Sequence, residues 1–385
     1  MTGYEYGNAR LRARRAALLR REQYAALLGR DVPGLLAALA MTAYRAQAEA
    51  LSSRAGDGAG AGDGAGAGDG AGTANGADGG QLRLLWRVAG EHMAAALADV
   101  AGLYRDRAAA VVTALLGRFD VDNVVALLRA AHLGGAEATT PAGLVAVGRL
   151  DEHTAREAAG QPDLPAAARL LAGRALPDPE TAARLVAAAH RYEIDADLAA
   201  VEHAVVRSAR AYQLRVLTQA RAAAAPAAAG LRLESDDANL LIALRLRDRA
   251  DGRPGAAATP ARNGAAGWPY LPGGTVPDGE LAALEHAPAR ADALAAATRA
   301  PAHWRAPLAA WADGASLAAL HAALEAARLR AELGRLRRAD PLGAGAVLYY
   351  VLAHRAQARN VRLLARAAAG IAGQDETRHR LITPV

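Results

Sequence analysis

FDVDNVVALLRA, residues 119–130, carries the single phenylalanine of the chain beside two aspartates, an asparagine and an arginine. The run is apolar and helix-like, so the polar cluster marks either a chemical site or a structural joint. Its recurrence decides between them. Asp120 is followed by Asn123 and then Arg129, and the same order of acid, asparagine three residues on and arginine six beyond that returns in SDDANLLIALRLR as Asp236, Asn239 and Arg245. QARNVRLLARA supplies Gln357, Asn360 and Arg366, and EYGNARLRAR opens the chain with a looser copy, Glu5, Asn8 and Arg14. The four asparagines are 115, 116 and 121 residues apart. Each match alone is weak, but near-constant spacing points to a repeated unit of about 116 residues.

The flanks repeat as well. QLRLLWRVAGEHMAAALADVAGLYRDR, DADLAAVEHAVVRSARAYQLRVLTQAR and SLAALHAALEAARLRAELGRLRR precede the second, third and fourth copies. All three have the spacing of long amphipathic helices. In the middle one, Leu198, Val201, Val205, Tyr212 and Val216 are expected to share a buried stripe. A Gly-containing turn and a further helix follow two of the motifs, near Gly148 and near Gly273. Alanine and leucine dominate and β-branched residues rarely run together, which also favours helix. The expected fold is therefore all-α, with helical lobes over 1–118, 119–234 and 235–356 and a last motif copy over 357–385 completing the set.

Within the motif, Asp120 is read as an N-cap, with Asn123 at the third helical position and Phe119 stapled onto Val124. Asn123 and Arg129 are about 600° apart around a helix, so they do not share a face. Arg129 lies opposite Asp120 and is expected to pair with another helix or to face solvent. Carboxylates that must converge for acid–base chemistry are denied by this spacing, and all four motif copies are read as structural.

The remaining sequence offers no site chemistry. There is no cysteine, which excludes disulfides, thiolate metal sites and a cysteine nucleophile. The ten histidines are scattered without metal-ligand spacing, and no GxSxG or P-loop pattern occurs. No catalytic, cofactor or metal residue is expected, and no small-molecule substrate. All 45 basic side chains are arginine and the formal charge is +6. An excess of this kind can serve phosphate on nucleic acid or lipid, or reflect only composition, and the interleaving with Asp and Glu favours the second reading. The opening MTGYEYGNARLRARR lacks an apolar core of signal-peptide type. Val32–Tyr44, thirteen residues, is the longest mainly apolar uncharged run and too short for a bilayer. Residues 55–80, with their GAGAGD period, have nothing to bury and are expected to be disordered, and the Gly- and Pro-rich stretch 251–274 to be a surface loop.

Four stretches together resemble a known family: YGNARLRARRAALL, FDVDNVVALLRA, SDDANLLIALRLR and DPLGAGAVLYYVLAHRAQARNVRLLARAAAGI. The chain is similar to the C subunit of V-type ATP synthases, the counterpart of subunit d of eukaryotic V-ATPases. That family carries an acid-x-x-Asn-Leu-Arg type of element in each of three helical lobes. Pro341-Leu342 and the LPGG of 271–274 fit its pattern, whereas Gln357 replaces an acid and residues 55–80 look like an insertion. The resemblance implies a pseudo-threefold funnel or socket and a non-catalytic rotor part. It would lie on the cytoplasmic face of the membrane, as a peripheral protein without a transmembrane segment of its own. Central-stalk subunits of the soluble head and the membrane proteolipid ring are the implied partners, and ion transport, proton transport included, the implied process. No cofactor and no nucleic acid are implied. A helical-repeat scaffold for unrelated protein partners is the alternative, although such repeats are usually shorter, about 20–47 residues.

Overall fold

In the computed structural model, which describes residues 3–50, 76–133, 144–176, 178–250 and 269–384, the second and third of the stretches read as amphipathic helices are single helices, whereas the first is helical only to Leu97 and then turns through 98–105 into the next helix. Helix makes up 77% of the structure, and among the described residues there is no strand. The protein is all-α. Its helices are α1 (Glu5–Arg14), α2 (Arg21–Leu27), α3 (Val32–Ala40), α4 (Gly76–Leu97), α5 (Asp106–Leu133), α6 (Glu152–Ala159), α7 (Leu164–Arg174), α8 (Pro179–Asp195) and α9 (Leu198–Gln219). There follow α10 (Ala225–Ala250), α11 (Asp278–Glu285), α12 (Arg290–Ala296), α13 (Arg305–Ala312), α14 (Leu317–Leu336), α15 (Gly345–Ala368) and α16 (Gln374–Arg380). Residues 45–50 are helical too.

The helix starts follow local rules. Asp31, Asp151, Asp163, Asp178, Asp197 and Ser316 each accept a hydrogen bond at an N-cap from a backbone N–H three residues on. Asp120 is not among them. It lies fourteen residues inside the 28-residue α5, so neither the N-cap nor the Phe119 staple exists there. Upstream of Phe119 the helical spacing of apolar residues continues through Val111, Val112, Leu115 and Leu116, all buried, and carries the helix through the motif. On α9 the buried stripe is Val201, Val205, Ala209, Gln213 and Leu217, at a strict spacing of four, while Tyr212 and Val216 are half-buried.

The segment 55–80 lies outside the described residues except at its end, where α4 already begins at Gly76. Of 251–274, the described part is not a surface loop. Tyr270 and Leu271 are buried, as is Val276 just beyond.

The chain forms two compact units. The first comprises Met1–Ala9, Val100–Pro141 and Ala146–Tyr349. In it α9 packs on α8 and α5, and α10 packs on α11 and α14. Leu240, Leu244, Leu281, Leu284, Trp304, Leu308, Trp311 and Leu324 make one of its cores. Each such aliphatic side chain stabilises by roughly 1.5–3 kcal/mol when fully buried.

The second unit joins Arg10–Asp99 to Ala142–Val145 and Tyr350–Val385, drawing on both ends of the chain. Its core is more polar. His92 of α4 and His354 of α15 are both buried, with ring centroids 6.1 Å apart. Tyr44 stacks on His92 at 3.9 Å, and Tyr350 meets His354 edge-on at 4.5 Å. The Nδ1 of His92 is 3.3 Å from Gln47 Oε1, and neither ring nitrogen of His354 has a hydrogen-bond partner. Burial therefore holds both rings neutral, with pKa values near about 4 for His92 and about 3 for His354, the latter also opposed by His92.

Both values lie below the ordinary 6.5, so the unfolded chain takes up protons first as the pH falls. The stability these histidines allow is present above pH 6.5 and drains away between about pH 6.5 and about pH 3, by about 1.4 kcal/mol per unit of pKa difference. The melting temperature is expected to fall between pH 7 and pH 4, and to fall less in a His354→Leu variant. Equal pH dependence in the two proteins, followed by circular dichroism, would contradict this account.

Candidate functional site

Three long helices carry a motif in their interior, and in each the first motif side chain reaches out to a turn that precedes another helix. Asp120 of α5 accepts from the backbone N–H of Arg149 at 2.9 Å and of Leu150 at 3.1 Å. Asp236 of α10 accepts from the N–H of Thr275 at 2.6 Å and of Val276 at 3.0 Å, and from the Thr275 hydroxyl at 2.7 Å. Gln357 of α15 accepts from the N–H of Leu19 at 2.7 Å. Leu150, Val276 and Leu19 are each the residue just before the N-cap, at Asp151, Pro277 and Arg20 respectively. The same staple is thus made three times.

Small residues make the first two possible. A Cβ on Gly148 would stand 2.0 Å from Asp120 Oδ2, and one on Gly274 would stand 2.6 Å from Asp236 Oδ1. Only glycine lets the carboxylate lie against the chain, and each glycine immediately precedes the first N–H that its aspartate binds. Burial raises the pKa of Asp120 and of Asp236, and the backbone donors work in the opposite direction. With Gln357 the carboxylate is gone, and a single N–H is held in place of two.

The asparagines act on the backbone too. Asn239 donates from Nδ2 to the Leu271 carbonyl at 3.0 Å and accepts from the Leu271 N–H at 2.6 Å. Asn360 does the same to Ile382, at 2.6 and 3.0 Å. A side-chain amide here replaces the strand that an extended segment would otherwise need. Asn8 of α1 donates to the carbonyls of Pro341 and Gly343 at 2.7 and 3.0 Å and accepts from the Tyr104 hydroxyl at 2.8 Å. Asn123 is buried, and Glu5 is half-buried.

The motif arginines do not join these staples. Arg14 grips Asp99 with both terminal nitrogens at 2.7 and 2.6 Å. Arg129 grips Glu202 of α9 at 2.6 and 2.8 Å, on the far side of α5 from Asp120 as its position in the helix requires. Arg245 and Arg366 are exposed. The buried arginine of that helix is Arg247, two residues later, which donates to the carbonyls of Ala287 and Pro288 and lies 5.7 Å from the Trp311 ring.

A second polar constellation joins the two motif helices of the first unit. Arg118 of α5 pairs with Glu234 of α10 at 2.7 Å. Both residues stand two positions before the motif acid, and they are 116 residues apart, one repeat length. Arg210 of α9 reaches the same Glu234 at 3.3 Å. Arg328 of α14 binds Glu234 at 3.0 Å, Asp237 at 2.8 Å and Glu332 at 3.0 Å. Asp237 also accepts from the Trp304 indole at 2.7 Å and meets His303 Nε2 at 2.6 Å.

Three guanidinium groups thus face three carboxylates away from water. Desolvation works against the charge on Arg328, yet Glu234, Glu332 and Asp237 together outweigh it and hold its pKa up. Burial raises the pKa of Glu332, against the pull of Arg328, and lowers that of Arg210, against the pull of Glu234. Every group is engaged by an opposite charge, and the pairs tie α5, α9, α10 and α14 together. The motif reading passed over this cluster. Its one sequence signal is that opposite charges, Arg118 and Glu234, occupy equivalent repeat positions.

Among the described residues no group of three or more His, Asp and Glu is placed to hold a metal ion. Among them, too, no helix is long and apolar enough to cross a membrane. A comparison with protein families matches residues 73–380 to the family described as ATP synthase (C/AC39) subunit. Comparison with curated proteins finds no match.

Gly274→Ala should destabilise the fold by about 1–3 kcal/mol, through the collision with Asp236. Asp236→Ala should cost about 1–3 kcal/mol for each backbone N–H left unpaired. Removing one member of the ion cluster strands its partners, so Arg328→Met should cost about 3–5 kcal/mol. Urea denaturation measures all three, and a Gly274→Ala protein as stable as the parent would overturn the staple geometry.

Proposed function

The chain belongs to the ATP synthase (C/AC39) subunit family, and from that membership we propose that it is a non-catalytic rotor part of a V/A-type ATP synthase. In this reading it is a socket that couples the central stalk to the membrane proteolipid ring and passes torque between them. It works at the cytoplasmic face as a peripheral protein, and ATP chemistry belongs to other subunits. The match over residues 73–380 is the observation that carries the reading.

The staples and the ion cluster support it physically. A part that transmits torque must resist shear between its helices, and interlocked helices joined by buried hydrogen bonds are stiff. We further propose that the motifs mark three helical lobes, with bounds that follow the helices and so differ from the 1–118, 119–234 and 235–356 expected from the motif spacing. One is α5–α9, one is α10–α14, and the third is closed from both ends of the chain by α15 with α2, α3 and α4. Each would then contain a motif helix, the staple from that helix to a turn, and a following long helix. All the motif residues act in this reading as structural joints.

Two experiments test the proposal. The tagged protein, isolated in mild detergent, should bring with it the other subunits of the synthase, stalk and proteolipid subunits included. In membranes lacking it, ATP hydrolysis by the head should persist while ATP-driven ion movement is lost. Isolation with unrelated partners only would favour the scaffold reading, and full coupling without the subunit would exclude the torque-bearing role.

A further inference from the structure

The formal charge of +6 is not spread over the chain. The unit made from both chain ends holds 17 arginines against 11 carboxylates, whereas the other unit holds 28 against 28. The whole excess lies in the former. Within it, residues 10–21 contain six arginines, Arg10, Arg12, Arg14, Arg15, Arg20 and Arg21, and no acid. They run from the end of α1 through a 3₁₀ turn, Arg15–Ala17, to the start of α2, a path of at most ~25 Å. Arg10, Arg12, Arg20 and Arg21 are exposed. Of the acids close to the stretch, Asp99 is occupied by both terminal nitrogens of Arg14 and also lies in the field of Arg10, Glu22 stands on α2, and the half-buried Glu5 stands on α1 five residues before Arg10.

We propose that this stretch is a docking surface for anionic phospholipid headgroups. The proposal rests on the peripheral membrane reading above and adds the ligand chemistry. Guanidinium groups match phosphate as forks, two N–H groups to two oxygens. An acidic protein partner would be expected to use apolar anchors at the centre of its interface. None lies within the stretch: its leucines, Leu11, Leu18 and Leu19, are all buried, and its exposed side chains are arginine and alanine only, while the exposed Tyr6, one turn before Arg10 on α1, is an aromatic of the kind that also sits at a headgroup layer. A face of charge without anchors suits a fluid anionic leaflet, which needs no shape complementarity. Each arginine within a Debye length of such a leaflet strengthens binding roughly fivefold, so four together give several hundred-fold.

The purified full chain can be sedimented with vesicles of phosphatidylcholine alone or with about 30% phosphatidylglycerol, in about 0.05 and about 0.3 M salt. Binding should require phosphatidylglycerol and weaken at the higher salt. Replacing Arg10, Arg12, Arg20 and Arg21 by alanine should reduce it more than tenfold with the melting temperature unchanged, while the four lysine replacements keep most of it. Arg337→Ala with Arg338→Ala, exposed arginines of the neutral unit, should leave it intact. Binding equal on neutral vesicles, no binding to either, or equal loss in the Arg337/Arg338 control would overturn the proposal. So would preferred retention on duplex DNA of equal charge. If the chain assembles into the synthase yet ignores vesicles, the lipid surface fails and the rotor reading stands. Vesicle binding without assembly has the reverse meaning.

Discussion

A turn that enters a helix against the flank of another helix has backbone N–H groups that water cannot reach. In an all-helical protein no neighbouring strand exists to accept them, and leaving such a group unpaired costs about 1–3 kcal/mol. The solution here is an acceptor carried on the flank itself. Asp120, Asp236 and Gln357 project from the interior of long helices and take up the N–H groups just before the next N-cap. Burying the carboxylate carries its own penalty, visible as the raised pKa of Asp120 and Asp236. Two donors per carboxylate offset that penalty, and a glycine makes the approach possible. The packing of the short helices on the long ones follows from this contact.

The ion cluster is a different device with a related effect. Three arginines and three carboxylates, four of the six buried and Arg210 and Glu234 half-buried, add little net stability over an apolar core of the same volume. What they add is register. Arg328 reaches Glu234, Asp237 and Glu332 together only if α10 and α14 hold one relative position, and Arg118 extends the constraint to α5. Sliding a helix by one turn would strand charges at low dielectric. A core of leucine would tolerate the slide far better.

The unit built from both chain ends manages buried polarity without that cluster. His92, His354, Tyr44 and Tyr350 make a neutral aromatic core, and Gln357 replaces the aspartate of the other staples. A neutral amide avoids the burial cost of a carboxylate but leaves its Nε2 without a partner. The same unit carries all the excess positive charge of the protein, with arginines of residues 10–21 on its surface.

The sequence by itself determined the helical class, because alanine, leucine and apolar spacing act over a few residues. It also determined that the motif recurs at a fixed interval, that Arg129 points away from Asp120, and that no cysteine chemistry exists. Family membership was legible from the same motifs. What each motif residue touches was not legible. Asp120 looked like an N-cap because caps are local, but its real partners lie 29 and 30 residues away, and the partner of Gln357 lies 338 away. Charge and polarity at one position do not say which distant N–H will be brought to it. The same holds for Arg328, whose value depends on three acids, two of them more than 90 residues distant. Tyr270 and Leu271 lie at the end of a Gly- and Pro-rich run that reads as a surface loop. They are buried because Asn239 clamps the chain there. Local chemistry set the helices, and tertiary structure alone decided which backbone groups their polar side chains would satisfy, since that choice depends on contacts between residues far apart in the chain.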